Sequence, residues 1–235
     1  YVAADPSDPP ADVAVDSAGR ILLVSPGSAL VVRVATDGSI ETLAGGGAQL
    51  GAHVPATAAR LDHPYAVAVD PQDRVLLVDH FDRVRRIDPD GFLETLSEGS
   101  GRTAAFDFVQ GTTRPPTALH VDEAGRIFLA SAGQHRVWRL DDQRVLQSFA
   151  GTGSPGTGGD GAAAPDATLL SPSALASDTA GNLYVADREA GLVRRVDVRG
   201  EITTVAGSGL RTPSPDGGLA RATSLAPTAL AVDVE

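Results

Sequence analysis

The stretch PYAVAVD, Pro64–Asp70, decides the fold, because the chain writes it five times. It reads PADVAVD at Pro10–Asp16, PTALHVD at Pro116–Asp122, PSALASD at Pro172–Asp178 and PTALAVD at Pro227–Asp233. The closing aspartates, Asp16, Asp70, Asp122, Asp178 and Asp233, stand 54, 52, 56 and 55 residues apart. A near-constant period of this length marks a repeat architecture.

The residues after each Asp repeat too. Asp16-Ser-Ala-Gly19, Asp122-Glu-Ala-Gly125 and Asp178-Thr-Ala-Gly181 each lead into an apolar run. Such a D-x-x-G segment is a hairpin turn: the Asp carboxylate accepts from nearby backbone N–H groups and Gly supplies a positive φ. The second repeat has Asp73 in place of Gly, and Asp tolerates the left-handed region better than most residues. A third run follows at Val31–Val34, Val84–Ile87, Val137–Leu140 and Val193–Val196, then a second turn, then a fourth run. Each repeat is thus four short strands rich in Val, Leu and Ile, and no window offers a helix.

Four-stranded repeats of this length predict an all-β fold: a β-propeller of four-stranded antiparallel blades, with four full repeats plus a partial fifth. The repeats run 10–63, 64–115, 116–171, 172–226 and 227–235, within a single domain 1–235. A generic β-sandwich needs no such constant period. In the first strands small residues (Ala66, Ala68) alternate with branched ones (Val67, Val69), which suits strands crowded near a propeller axis.

The segment from Ala150 to Gly209 resembles the NHL-repeat family in its bacterial form. It carries a Gly-rich GDG loop at Gly159–Gly161, PSALASD at Pro172–Asp178, GNLYVAD at Gly181–Asp187, VRRVD at Val193–Asp197 and ITTVAG at Ile202–Gly207. The other full repeats match more loosely. The resemblance implies an NHL-type propeller, usually six-bladed, serving as a sensor or as a protein- or RNA-binding module. A minority of related propellers are lyases or hydrolases, and fold alone does not choose among these. Two arrangements of the ends fit the sequence. In one, Tyr1-Val-Ala-Ala-Asp5, similar to Tyr184–Asp187, pairs with the fifth first strand to close an incomplete ring. In the other, the chain is a fragment of a larger propeller. The absent initiator Met points to a piece of a longer product, and incomplete ends suggest self-association.

Composition narrows the chemistry. The 235 residues are 42% hydrophobic, enough for a real core. There is no Cys and no Met, so there is no thiol nucleophile or cysteine metal site. No apolar run approaches the ~20 residues of a membrane span, so membrane insertion is not expected. All 19 basic residues are Arg, and the net charge is −11. A phosphate-backbone binder usually shows the opposite balance, which makes nucleic acid an unlikely partner although a local Arg patch is still allowed. Arg and Ala richness without Lys suggests a high-GC bacterium, and there the NHL pattern resembles extracytoplasmic or secreted domains.

The long irregular segments are Gly45–His63, Ser97–Pro115, Gly151–Ser171 and Gly207–Ala226, which a propeller gathers on one face with the loops joining strands two and three. Binding concentrates on such loops. His63 and Tyr65 open a first strand there. His80, Phe81 and Arg83 lie in a second-to-third loop, with Gln134, His135 and Arg136 at the matching place one repeat on and Arg188 in the next. Together they form a candidate binding face for a protein, peptide or small anionic ligand, or else an ordinary polar rim. His120 replaces Ala on the small-residue face and is expected at the central channel, as a hydrogen-bonded histidine rather than a metal ligand, because the equivalent positions are Ala14, Ala68, Ala176 and Ala231.

The Gly151–Gly161 run lacks the Lys and helix of a phosphate loop. Asp160 and Asp216 invite calcium but lack an EF-hand spacing. Arg33, Arg86, Arg139 and Arg195 recur once per repeat, as a scaffold would. No catalytic residue, metal site or cofactor is expected, and the reading is a non-enzymatic binding, sensor or scaffold domain. A propeller enzyme, such as a metal-assisted lyase or lactonase-like hydrolase, is the alternative.

Overall fold

A computed structural model describes residues 8–79, 83–97, 117–210 and 217–233. Strands β1–β4 are Asp12–Val15, Ile21–Ser25, Leu30–Val34 and Ile40–Gly45; β5 is His53–Pro55. Strands β6–β9 are Ala66–Val69, Val75–Val78, Val84–Ile87 and Phe92–Ser97. Strands β10–β13 are Ala118–Val121, Ile127–Ser131, Arg136–Leu140 and Leu146–Ala150. Strands β14–β17 are Pro172–Ser177, Leu183–Asp187, Leu192–Val196 and Ile202–Ala206. They form four antiparallel meanders, one per full repeat, with β5 added to the outer edge of the second. The only helices among the described residues are short 3₁₀ turns, so none is long and apolar enough to cross a membrane.

The repeat motif explains each blade. Asp16, Asp70 and Asp122 are nearly buried. Each takes the Nε–H of the Arg four residues on (Arg20, Arg74, Arg126) at 2.6, 2.6 and 2.5 Å, and also that residue's backbone N–H. Asn182 plays the same part for Asp178. Asp73 adopts φ +60° where Gly19, Gly125 and Gly181 take +75°, +76° and +85°. The glycine at the end of strand four is needed for a different reason. At Gly45, Gly151 and Gly207, a Cβ would lie 2.1, 2.3 and 2.0 Å from a backbone carbonyl of the adjoining hairpin.

The chain divides into two compact units, Tyr1–Asp107 and Phe108–Glu235. In the first unit, Leu22, Val24 and Val31 of blade 1 pack on Val67, Leu77 and Leu93 of blade 2. In the second, Phe128, Ala130 and Val137 of blade 3 pack on Leu175, Val185 and Ile202 of blade 4. Burying each such side chain contributes roughly 1.5–3 kcal/mol. The alternation in the first strands serves this packing: Ala14 and Ala118 face the following blade, and Val67 faces the preceding one. Polar links repeat between neighbours, as Val67 N–H to Asp12 at 3.0 Å in the first unit and Thr117 Oγ–H to the Pro172 carbonyl at 2.6 Å in the second.

The fifth copy of the motif differs from its expectation as a first strand. Ser173 Oγ–H reaches the Pro227 carbonyl at 3.4 Å, the counterpart of Thr117 to Pro172. Yet Pro227–Asp233 forms no ladder. The other four first strands each pair with the strand that follows in sequence. The N-terminal stretch Tyr1–Asp5 lies outside the described residues, as does most of Ser97–Pro115.

Candidate functional site

A β-bulge recurs at one place in all four blades. The pairing of strand three with strand four shifts between Val31 and Val32, Val84 and Arg85, Val137 and Trp138, and Val193 and Arg194. A bulge re-aims the side chains beside it. The residue after the shift is Val32, Arg85, Trp138 or Arg194, so two blades carry a buried arginine there, 3% exposed at Arg85 and 0% at Arg194.

In blade 4 this arginine clamps the Gly-rich loop. Arg194 Nη2–H donates to Asp160 Oδ1 at 2.8 Å and to the Gly158 carbonyl at 3.3 Å, and Nη1–H to the Thr168 carbonyl at 3.4 Å. Thr204 Oγ–H joins Asp160 Oδ1 at 3.1 Å. The GDG loop is thereby a structural turn. A guanidinium against Asp160 disfavours a cation there, and Asp216, the other calcium candidate, lies outside the described residues.

Blade 2 keeps the arginine, and its loop has Ala52 in place of the Asp. Arg85 pairs in register with Thr95 as Arg194 does with Thr204. Ala56 N–H bonds the Gly91 carbonyl as Ala164 N–H bonds that of Gly200, and counting back equally from each places Ala52 where Asp160 stands. Thr95 N–H donates to the Ala52 carbonyl at 2.9 Å, which fixes this register. Where the carboxylate would lie there is a cavity of about 260 Å³, lined by Leu50, Gly51, Ala52, Arg60, Arg83, Arg85 and Thr95. Arg85 Nη2–H holds the Gly51 carbonyl at 2.9 Å. Arg83 Nε–H bonds the buried Asp79 at 2.7 Å. Arg60 is exposed. Arg60, Arg83 and Arg85 thus line one cavity, with Arg83 already paired with Asp79 through Nε and Nη2, and none of the lining side chains among the described residues is acidic.

Of the residues singled out from sequence, Arg83 lines this cavity. His63 is exposed, 3.8 Å from Asp62, with φ +43°. Tyr65 is half-buried and its N–H donates to the Val78 carbonyl. His80 and Phe81 lie outside the described residues. In the second unit, His135 Nδ1 sits 2.6 Å from the Leu170 carbonyl, and Gln134 Oε1 accepts from Trp138 Nε1 at 3.0 Å. Arg136 binds Ser148 at 2.7 Å and lies 5.5 Å from the Trp138 ring centre. Arg188 is exposed beside Asp187. Burial raises the Asp187 carboxyl above its ordinary range, against the Leu170 and Ser171 N–H bonds that lower it. His135, Asp187 and Arg188 thus share one end of the blade 3–blade 4 pair, tied into its scaffold.

His120 lies between first strands, with Nε2 2.8 Å from Ser177 Oγ, and burial lowers its pKa. Among the described residues no three His, Asp or Glu side chains converge as a metal site would require. The once-per-repeat arginines act in the blades: Arg86 pairs with Glu94 at 2.8 Å, Arg33 pairs with Glu41, and Arg139 lies 6.0 Å from the Phe149 ring centre. Sequence reasoning missed Arg60, Arg85 and Thr95. The available clue was Ala52 standing against Asp160 while Arg85 aligns with Arg194.

Four-stranded antiparallel blades with D-x-x-G hairpins and buried inter-blade faces define an NHL-type β-propeller. The family model for the teneurin NHL domain matches residues 54–232, and the chain belongs to that family. Teneurin-3 from Danio rerio is 29% identical over 72% of this chain and 6% of its own length. NHL repeat-containing protein 2 from Gallus gallus is 34% identical over 44% of this chain and 14% of its own. The chain therefore spans only a small part of the curated relatives it matches. Among solved structures, an auxiliary nutrient binding protein from Bacteroides ovatus superposes with a TM-score of 0.67 at 19% identity, over 94% of this chain and 53% of that one. Virginiamycin B lyase from Staphylococcus aureus gives 0.57 at 13% identity, over 92% and 60%. At these identities the likeness is one of fold.

Proposed function

We propose that this chain is a non-enzymatic binding domain of a larger protein, recognising an anionic group on a protein, peptide or small molecule. The observation that supports it is the arginine-lined cavity in blade 2. Three arginines, Arg60, Arg83 and Arg85, line it in an acidic protein, and guanidinium is the side chain best matched to carboxylate and phosphate. The B. ovatus structure is described as a nutrient binding protein, which is consistent with this reading. The lyase neighbour raises an enzymatic alternative, for which no group of three metal-ligating side chains is found among the described residues. The all-Arg basic composition and the form of repeat four support a bacterial, extracytoplasmic sensor or scaffold setting. The test is amide chemical-shift mapping during titration with an acidic peptide and with small anions. Shifts should centre on residues 50–60 and 83–95 and weaken in Arg60→Ala and Arg83→Ala. Shifts that never appear, or that are the same in both variants, would overturn the proposal.

A further inference from the structure

We infer that the sheet face of blade 1 that points away from blade 2 is a self-association surface, which packs on the same face of a second copy of this chain. The inference is independent of the blade 2 cavity. Side chains in register across β1–β4 make two complete rows on this face. One row is Val15, Ile21, Val34 and Ile40; the other is Val13, Leu23, Val32 and Thr42. All but Thr42 are apolar, and none is charged. Val13, Val15, Ile21 and Ile40 are 57%, 60%, 41% and 59% exposed.

The same positions are interior elsewhere in the repeat. In blade 2 the counterparts of Val13, Ile21 and Ile40 are Val67, Val75 and Leu93, all buried against blade 1. In blade 4 they are Leu175, Leu183 and Ile202, buried against blade 3. Blade 1 therefore exposes a face with the pattern of a sheet-on-sheet interface. Single exposed apolar side chains need no partner, but a contiguous set marks an interaction surface. Blade 1 also departs from blades 2 and 4 at the bulge, with Val32 where they carry Arg85 and Arg194. The middle of its face is thus free of charge, as the cores of protein interfaces are.

A second copy is the occupant that matches this chemistry. The opposite face of blade 1, which meets blade 2, carries the Arg33–Glu41 ion pair. A blade arriving with such a face would bring charges, whereas a second copy of the uncharged face brings none. A two-fold contact uses one patch twice, and two-fold dimers are the commonest assembly. Apolar sheet faces pack about 10 Å apart. Four strands about 4.8 Å apart and about five residues long give a face of roughly 300 Å² in plan. Two such faces with their side chains bury on the order of 1,000 Å² in total, the low end for a specific interface, so the dimer should be weak and reversible.

The test is sedimentation equilibrium of the whole chain from low to high micromolar concentration. The mass should rise from that of one chain to that of two and stop there. Val15→Glu with Ile40→Glu puts four carboxylates into the contact and should weaken association about a hundredfold or more. Both positions are exposed in the single chain, so the melting temperature at the lowest concentration should hold. If it falls, Val15→Thr with Ile40→Thr keeps the branched shape, removes apolar surface and should weaken association about tenfold. Val198→Glu, at a site 66% exposed in blade 4, is the control and should change nothing. The chain has no cysteine, so Val13→Cys, Leu23→Cys and Val34→Cys, made singly, report the pairing. At least one should form a disulfide-linked dimer on oxidation.

The mass of one chain at every concentration would overturn the inference, whatever else covers the face. A mass that climbs past two chains, or a dimer that none of the single cysteines links, would overturn it in favour of head-to-tail contact. Association that survives the paired Glu substitutions unchanged would overturn it by placing the contact elsewhere.

Discussion

Removing Asp160 tests how the arginine after the bulge is satisfied. Arg194 is fully buried, and it pairs with Asp160, whose side chain is 48% exposed. Breaking a fully buried ion pair costs about 3–5 kcal/mol, because a charge is left uncompensated. Asp160 is half in water, so part of that energy is already screened. Arg194 also keeps the Thr168 and Gly158 carbonyls at 3.4 and 3.3 Å, long but usable acceptors. Asp160→Ala should therefore cost about 2–3 kcal/mol, within the range for hydrogen bonds to charged groups. Asp160→Asn keeps an acceptor and should cost about 1 kcal/mol. The assay is urea unfolding followed by fluorescence of Trp138, the single tryptophan, 7% exposed and in the same unit. Asp166→Ala, on the exposed turn of the same loop, is the control and should stay within about 0.5 kcal/mol. Equal midpoints for Asp160→Ala and the control would refute the clamp.

Gly151→Ala places a Cβ 2.3 Å from the His135 carbonyl at φ +92° and should cost about 2–3 kcal/mol, whereas Gly125→Ala, with open space around its Cβ, should cost only about 1 kcal/mol; both are read from the urea midpoint. Arg144→Gly should raise stability by roughly 0.5–1 kcal/mol, because Arg144 sits at φ +64° where the other second turns have Gly38, Gly91 and Gly200; an unchanged midpoint would contradict this. Burial holds His120 below the ordinary 6.5, so the folded state binds fewer protons than the unfolded state as pH falls. The stability from neutral His120 is present above about pH 6.5 and is lost as pH drops through the folded value. His120→Ala, which restores the residue of the other repeats, should flatten the fall in melting temperature between about pH 7 and 5; an identical slope would sink the assignment.

The blades were legible because each depends on local chemistry. Asp-x-x-Gly turns, apolar runs and a constant period are written in adjacent residues, and the Asp–Arg pairs close over four positions. The fifth motif shows where local writing stops: PTALAVD is as good a first strand as PYAVAVD, yet a strand is a pairing, and Pro227–Asp233 forms none. The direction of the small-residue face was hidden for a related reason. Alternation reveals that two faces exist but not which one meets the next blade. At the site, Arg83 was visible as a loop charge. Arg85 was not, since mid-strand it reads as one more scaffold arginine beside Arg86. Only the bulge separates the two, turning Arg85 toward the long loop while Arg86 pairs across the sheet with Glu94.

That difference shows how a repeat protein can acquire a site without new backbone. The bulge holds Val32, Arg85, Trp138 and Arg194 at one geometric position in four blades, so the position itself is architectural. Where the loop brings its own acid, as Asp160 does, the arginine is spent on holding the loop. Where the loop brings Ala52, β5 pairs with β9 at three residues, and the equivalent segment of blade 4 is held in the same way, by Gly161 N–H to the Ile202 carbonyl, Ile202 N–H to that of Ala162 and Ala164 N–H to that of Gly200. Both loops are thus held by backbone pairing, and the side chain that Asp160 offers the arginine in blade 4 is replaced by that of Ala52 in blade 2.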